Sequence, residues 1–258
     1  DSLTNMGVAV LQPNIDPNAK WDYKKRENTI TYMDSLHSLA INLNPDLILF
    51  PETAFPAYLR LDRHVRGQIQ SKVDSSGIPV LTGTVDRTKL PDGKKRYFNS
   101  SMFLTPNHKY ILYNKLHLVP FAEYIPLSDQ FPSLNMLNFG QGNFTHGSEY
   151  TVFEWKDIRF SNLICYESSI PEITREFIQQ GAEMLTIQTN DGWLGKSAGP
   201  YQHYDVARIR AIENRVPVVR SANTGISGLI LANGVSMKEQ GLGEMEVFKV
   251  TVPLGATG

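Results

Sequence analysis

Short apolar runs of strand length alternate with stretches of helical periodicity along this chain, and that alternation limits its fold more than any other feature. Gly7 to Gln12, Asp46 to Phe50 and Met184 to Gln188 read as buried strands, with further strands at Pro79 to Val85 and Ile158 to Ile164. Between them lie helical patterns. From Lys25 to Asn44 the apolar residues Ile30, Met33, Leu36, Leu39 (or Ala40) and Leu43 recur at spacings of three and four, until Asn44-Pro45 ends the pattern. Other helices are expected over Asp62 to Ser75, Glu172 to Gln180 (closed by Gly181) and Gln202 to Asn214. Tyr97 to Leu104 and Lys109 to Asn114 read as a hairpin turning at Thr105-Pro106-Asn107, with Asp86 to Arg96 a polar turn and loop before it. Strands at Val216 to Ser221, Ser227 to Ala232 and Glu244 to Thr251 complete the chain. The expectation is an α/β protein whose sheet is covered by helices, with 258 residues forming a single domain over 1–258.

Composition then removes several function classes. No apolar run approaches the roughly 18 residues needed to cross a bilayer. A formal charge of -1 and a pI near 6.7 leave no electrostatic footprint for nucleic acid, and the clusters Lys24-Lys25-Arg26 and Lys94-Lys95-Arg96 read as solvated faces. One cysteine excludes an intramolecular disulfide. The six histidines are scattered without partners at zinc spacing, which argues against a metal, and no cofactor motif is present. A start at Asp1, without an initiator Met or signal segment, is expected of a piece of a longer protein.

Three strand ends carry reactive side chains: Glu52 after Asp46 to Phe50, Lys115 after Lys109 to Asn114, and Cys165 after Ile158 to Ile164. Cys165 is either a buried structural thiol or a nucleophile. The helix signal Ser169-Ile170-Pro171-Glu172 would place it in a strand-to-helix turn, biased toward thiolate by the positive helix end. A carboxylate to take the thiol proton and an ammonium to stabilise an oxyanion make such a trio fit for acyl transfer. Leu116 to Gly147 is broken by Pro120, Pro126 and Pro132, yet carries Phe121, Tyr124, Ile125, Phe131, Leu134, Met136, Leu137, Phe139 and Phe144. It is either a loop packed on its own side chains or a lid for an apolar substrate.

These residues resemble the Glu-Lys-Cys triad of the nitrilase, or carbon–nitrogen hydrolase, superfamily: Phe50-Pro51-Glu52, Tyr113-Asn114-Lys115 and Ile164-Cys165-Tyr166-Glu167. Lys115-Leu116-His117-Leu118-Val119-Pro120-Phe121-Ala122-Glu123-Tyr124-Ile125-Pro126-Leu127 is similar to its apolipoprotein N-acyltransferase branch. So is Asn190-Asp191-Gly192-Trp193-Leu194-Gly195, continuing to His203. The resemblance implies a four-layer α-β-β-α sandwich. It implies Glu52 as general base, Lys115 as stabiliser of the tetrahedral intermediate, Cys165 as acyl-carrying nucleophile and Glu123 as a second active-site carboxylate. Tyr166, Glu167, Trp193, His203, Phe121 and Tyr124 would support the nucleophile or bind substrate. The implied partners are a phospholipid acyl donor and a diacylglyceryl-cysteine lipoprotein acceptor, met at the extracytoplasmic membrane surface through the parent protein. Ala122 stands where a glycine is expected and Leu194 where an aromatic is usual, and the branch's membrane region is absent. A soluble amidase or nitrilase, in which water attacks the thioester, and a non-catalytic lipid-docking module remain alternatives.

Overall fold

The structure, a computed structural model, describes residues 4–16, 23–126, 130, 143–195 and 197–255. Its strands form two six-stranded sheets. The first contains β1 (Thr4–Gln12), β2 (Leu47–Leu49), β3 (Val80–Lys89), β4 (Lys95–Thr105), β5 (Lys109–Asn114) and β12 (Glu246–Leu254), in the order β12-β1-β2-β3-β4-β5. The second contains β6 (Phe153–Trp155), β7 (Ile158–Ile164), β8 (Met184–Thr189), β9 (Val218–Ala222), β10 (Ser227–Ile230) and β11 (Ser236–Gln240), in the order β11-β10-β9-β8-β7-β6. Helices α1 (Arg26–Asn42) and α2 (Arg63–Ser76) cover the first sheet, and α3 (Pro171–Gln179) and α4 (Gly199–Asn214) cover the second. This is the expected α-β-β-α sandwich.

The two-residue period of a strand explains why the central strands are apolar throughout. On β1, Met6, Val8 and Val10 point between the sheets, while Ala9 and Leu11 point at the helices. Leu47 and Leu49 against Ile48 and Phe50 repeat the division on β2. Burying each such side chain contributes about 1.5–3 kcal/mol. On α1 the buried face is Ile30, Met33, Leu36, His37 and Ala40. Leu39 and Leu43, both placed on that face from spacing, are exposed, because the stripe turns through Ala40 and the helix stops at Asn42. The Asp62 carboxylate caps α2 by accepting from the Val65 amide at 3.1 Å, and Gly77, at φ 71°, closes it in the left-handed conformation that glycine tolerates.

Two further expectations change. The segment Asp86 to Arg96 is largely paired strand rather than loop, with Arg87 opposite Tyr97 and Lys89 opposite Lys95. This hairpin extends past the covered part of the sheet, so its residues are polar without being irregular. The edge strands β6 and β11 are short, and β11 alternates only between half-buried and exposed, so neither carries an apolar run. In the long loop, residues 127–129 and 131–142 lie outside the described residues.

A polar cluster joins the sheets. Gln188 on β8 donates to the carbonyl oxygens of Phe50 (2.7 Å) and Leu81 (3.2 Å), and accepts from Ser101 on β4 (2.5 Å) and Asn162 on β7 (3.0 Å). Buried polar groups tolerate only a satisfied arrangement, so this cluster fixes the register of one sheet on the other.

Candidate active site

Glu52 and Lys115 leave the first sheet, and Cys165 leaves the second, so the locked sheet register sets their relative positions. The Glu52 turn lies directly on β3. The Ala54 amide donates to the Gly83 carbonyl at 3.0 Å, and a Cβ at Gly83 would fall 2.3 Å from the Thr53 nitrogen and 2.6 Å from the Glu52 Cα. Only glycine permits that approach. Asn99, buried on β4, donates through Nδ2 to Glu52 Oε1 (2.8 Å) and to Glu123 Oε1 (2.9 Å).

Lys115 is almost fully buried, and its Nζ contacts both Glu123 oxygens, at 2.9 and 2.8 Å. Glu123 is itself fixed by the Val119 amide at 2.8 Å. Burial works against the Lys115 ammonium, but the Glu123 and Glu52 carboxylates outweigh it and raise the lysine above its ordinary value. Glu52 is shifted upward by burial, against the pull of Lys115. With Lys115 gripped by Glu123, Glu52 is the carboxylate left to accept a proton.

Cys165 sits at φ 50°, a left-handed conformation rare for a side-chain-bearing residue, at the start of a five-residue 3-10 turn, Cys165–Ser169. The α-helix begins only at Pro171, so no α-helical terminus bears on the sulfur. The expected bias toward thiolate is not found. Burial, followed by Glu52, pushes the thiol up to about 12, with Lys115 pulling the other way. The resting group is a neutral thiol that needs a base.

Glu167 is fully buried beneath this turn. Its Oε1 accepts from Tyr113 OH (2.8 Å), Leu116 N (2.6 Å) and His117 N (3.2 Å), and its Oε2 accepts from Ile164 N (2.8 Å). It therefore ties the Lys115 strand end to the Cys165 turn. Burial pushes its carboxyl up to about 7, while all four partners donate and so favour the anion.

His203 on α4 also reaches the turn, with Nε2 3.1 Å from the Cys165 carbonyl oxygen and 3.0 Å from Ser168 Oγ. Phe121, Tyr166 and Trp193 are exposed large aromatics, and Tyr124 lies edge-on to His146 at 4.8 Å. None of these four is hydrogen-bonded to Glu52, Lys115 or Cys165. Asn99, Gly83, Asp191 and Arg220 are the site residues that sequence reasoning missed. An interior strand glycine and a charged residue amid an apolar strand were the only signals for two of them. Donor atoms of Cys165, Asp191 and His203 lie within 4.8 Å of one another, a grouping hidden by the scattered histidines of the sequence. By type they could suit a soft cation, but the Arg220 guanidinium, 2.7 Å from Asp191, already supplies the positive charge.

A family model described as carbon-nitrogen hydrolase matches residues 7–258. The chain belongs to the carbon–nitrogen hydrolase family. Among relatives of this carbon–nitrogen hydrolase domain, apolipoprotein N-acyltransferase of Geobacter metallireducens is 36% identical over 88% of the chain and 44% of its own length. That of Chlorobaculum tepidum is 36% identical over 96% of the chain and 51% of its own length. The chain thus spans about half the length of these curated relatives. A carbon–nitrogen hydrolase superfamily protein of Xanthomonas campestris shares the fold, with a TM-score of 0.72 and 19% identity over 96% of this chain and 91% of that one. An amidase from Nesterenkonia sp. gives a TM-score of 0.71 and 18% identity over 96% and 90%.

Proposed function

We propose that residues 1–258 form one catalytic domain that moves a fatty acyl chain from a phospholipid to the N-terminal amine of a diacylglyceryl-cysteine lipoprotein. The observation that carries this reading is 36% identity, across most of the chain, to proteins named apolipoprotein N-acyltransferase, together with Glu52, Lys115 and Cys165 gathered at one site. In the first step the Glu52 carboxylate takes the Cys165 proton as sulfur attacks the ester carbonyl. Lys115, kept cationic by Glu123, stabilises the oxyanion. Collapse breaks the ester C–O bond, and Glu52 returns the proton to the departing lysophospholipid oxygen. In the second step the acceptor amine attacks the thioester, Glu52 takes an amine proton, the C–S bond breaks, and the sulfur recovers its proton.

Apolar surface beside the site suits an acyl chain. Phe121, Tyr166, Trp193 and Tyr201 are all exposed, and each lies within two residues of Glu123, Cys165, Asp191 or His203. Among the described residues no helix is long and apolar enough to cross a membrane. In this reading the parent protein holds the domain at the extracytoplasmic face of the bacterial inner membrane.

Intact-mass measurement after incubation of the full-length protein with phospholipid in detergent tests the proposal. An acyl adduct is expected on wild type, absent in Cys165→Ala, and transferred as an amide to an S-diacylglyceryl-cysteine peptide. No adduct overturns the reading. Equally fast discharge to water without the peptide would overturn it in favour of an amidase.

A further inference from the structure

Arg220 is the largest fully buried side chain described, an arginine in the middle of β9 with no exposed surface. A charge so placed needs a counter-charge. It finds Asp191, buried at the end of β8, with Nη2 2.7 Å from Oδ2. Asp191 Oδ1 accepts from His203 Nδ1 (2.8 Å) and Thr189 Oγ1 (2.9 Å). Arg220 Nη2 also lies 3.0 Å from His203 Nδ1. The pocket leaves no spare room, since a Cβ at Gly225 would fall 2.2 Å from Asp191 Oδ2.

We infer that Arg220, Asp191 and His203 form a charge-balancing unit behind Cys165, in which Arg220 neutralises Asp191 so that sulfur can carry negative charge, while His203 holds the nucleophile's backbone. The argument is geometric. A carboxylate oxygen of Asp191, a ring nitrogen of His203 and Cys165 Sγ lie within 4.8 Å of one another. An uncompensated anion at that range would keep the proton on sulfur. The Cys165 carbonyl oxygen has His203 Nε2 at 3.1 Å and accepts from Ser168 Oγ at 2.9 Å, two contacts that secure its left-handed backbone. The other charges acting on the thiol are Glu52 and Lys115, the latter paired with Glu123, while Glu167 lies below the turn. Arg220 and Asp191 take no part in the proton transfers proposed for Glu52, so both are positioning residues.

The proposal rests on Cys165 as nucleophile, and because it is the chain's one cysteine, iodoacetamide labelling reads that sulfur directly. The midpoint of labelling rate against pH is compared among variants of the full-length protein. Arg220→Met is expected to raise the midpoint by about one to three pH units, slowing labelling at fixed pH by about tenfold per unit. Asp191→Asn lowers it, the double variant returns it near wild type, and Arg220→Lys, which keeps the charge, stays near wild type. An unmoved midpoint in Arg220→Met, or a double variant as displaced as Arg220→Met, overturns the proposal. Should Arg220→Met fail to fold by circular dichroism, Asp191→Asn decides alone, since an unchanged midpoint there is refuting. The expected midpoints combined with absent acyl transfer would sink the catalytic reading and leave the charge balance intact.

Discussion

His37 offers a quantitative test of how the first sheet and its helices pack. It is fully buried on α1, edge-on to Phe50 at 5.5 Å, and neither ring nitrogen has a hydrogen-bond partner among the described residues. Burial, then Lys72, draws its pKa down from 6.5 to about 4, against a smaller upward pull from Asp34. In the unfolded chain the ring regains its ordinary value, so between those limits the unfolded state binds more protons and stability falls with pH. The effect is absent above pH 6.5 and complete below about 4. Integrated from about pH 7.5 to about pH 5, it amounts to about 2 kcal/mol. His37→Leu removes the titration and the two unpaired nitrogens. Urea denaturation at the two pH values should show wild type losing about 2 kcal/mol more than the variant, with the variant more stable at both. Equal acid losses in the two proteins would refute a buried neutral histidine at this position.

Two substitutions probe the site's framework. Gly83→Ala places a methyl against the Thr53 nitrogen and Glu52 Cα, so acyl transfer should fall at least about tenfold, with a stability loss of about 1–3 kcal/mol from overpacking; wild-type rates would show that the Glu52 turn is not held by this contact. Glu167→Gln can direct its oxygen to Tyr113, Leu116 and His117 or to Ile164, not to both sets, leaving at least one buried donor unpaired. Thermal and urea denaturation should reveal a loss of about 1–3 kcal/mol, and an unchanged stability would argue against the clamp.

Most of the layer order was legible because burial on both faces leaves a compositional mark. Strands such as Leu47–Leu49 are apolar at every position, and α1 carries Ile30, Met33 and Leu36 at helical spacing. Edge strands escaped notice for the converse reason: Ser236–Gln240 has no buried side to select for. The Asp86 to Arg96 hairpin was hidden in the same way, since backbone pairing beyond the core asks nothing of side-chain polarity.

Within the site, Glu52, Lys115 and Cys165 stood out as chemically reactive groups at the ends of apolar strands, and their motifs pointed to the family. The partners did not. That Lys115 pairs with Glu123, that Asn99 spans two carboxylates, and that Arg220 faces Asp191 depend on residues brought together from different strands and loops. The ionisation of Cys165 depends on them too: its chain neighbours suggested a thiolate, whereas burial beside Glu52 makes a neutral thiol. Local order along the chain determined the element types and the reactive side chains, because periodicity and residue chemistry are properties of short segments. Tertiary structure alone decided which charges meet and which proton stays on sulfur, because electrostatic energies depend on distance and desolvation in three dimensions.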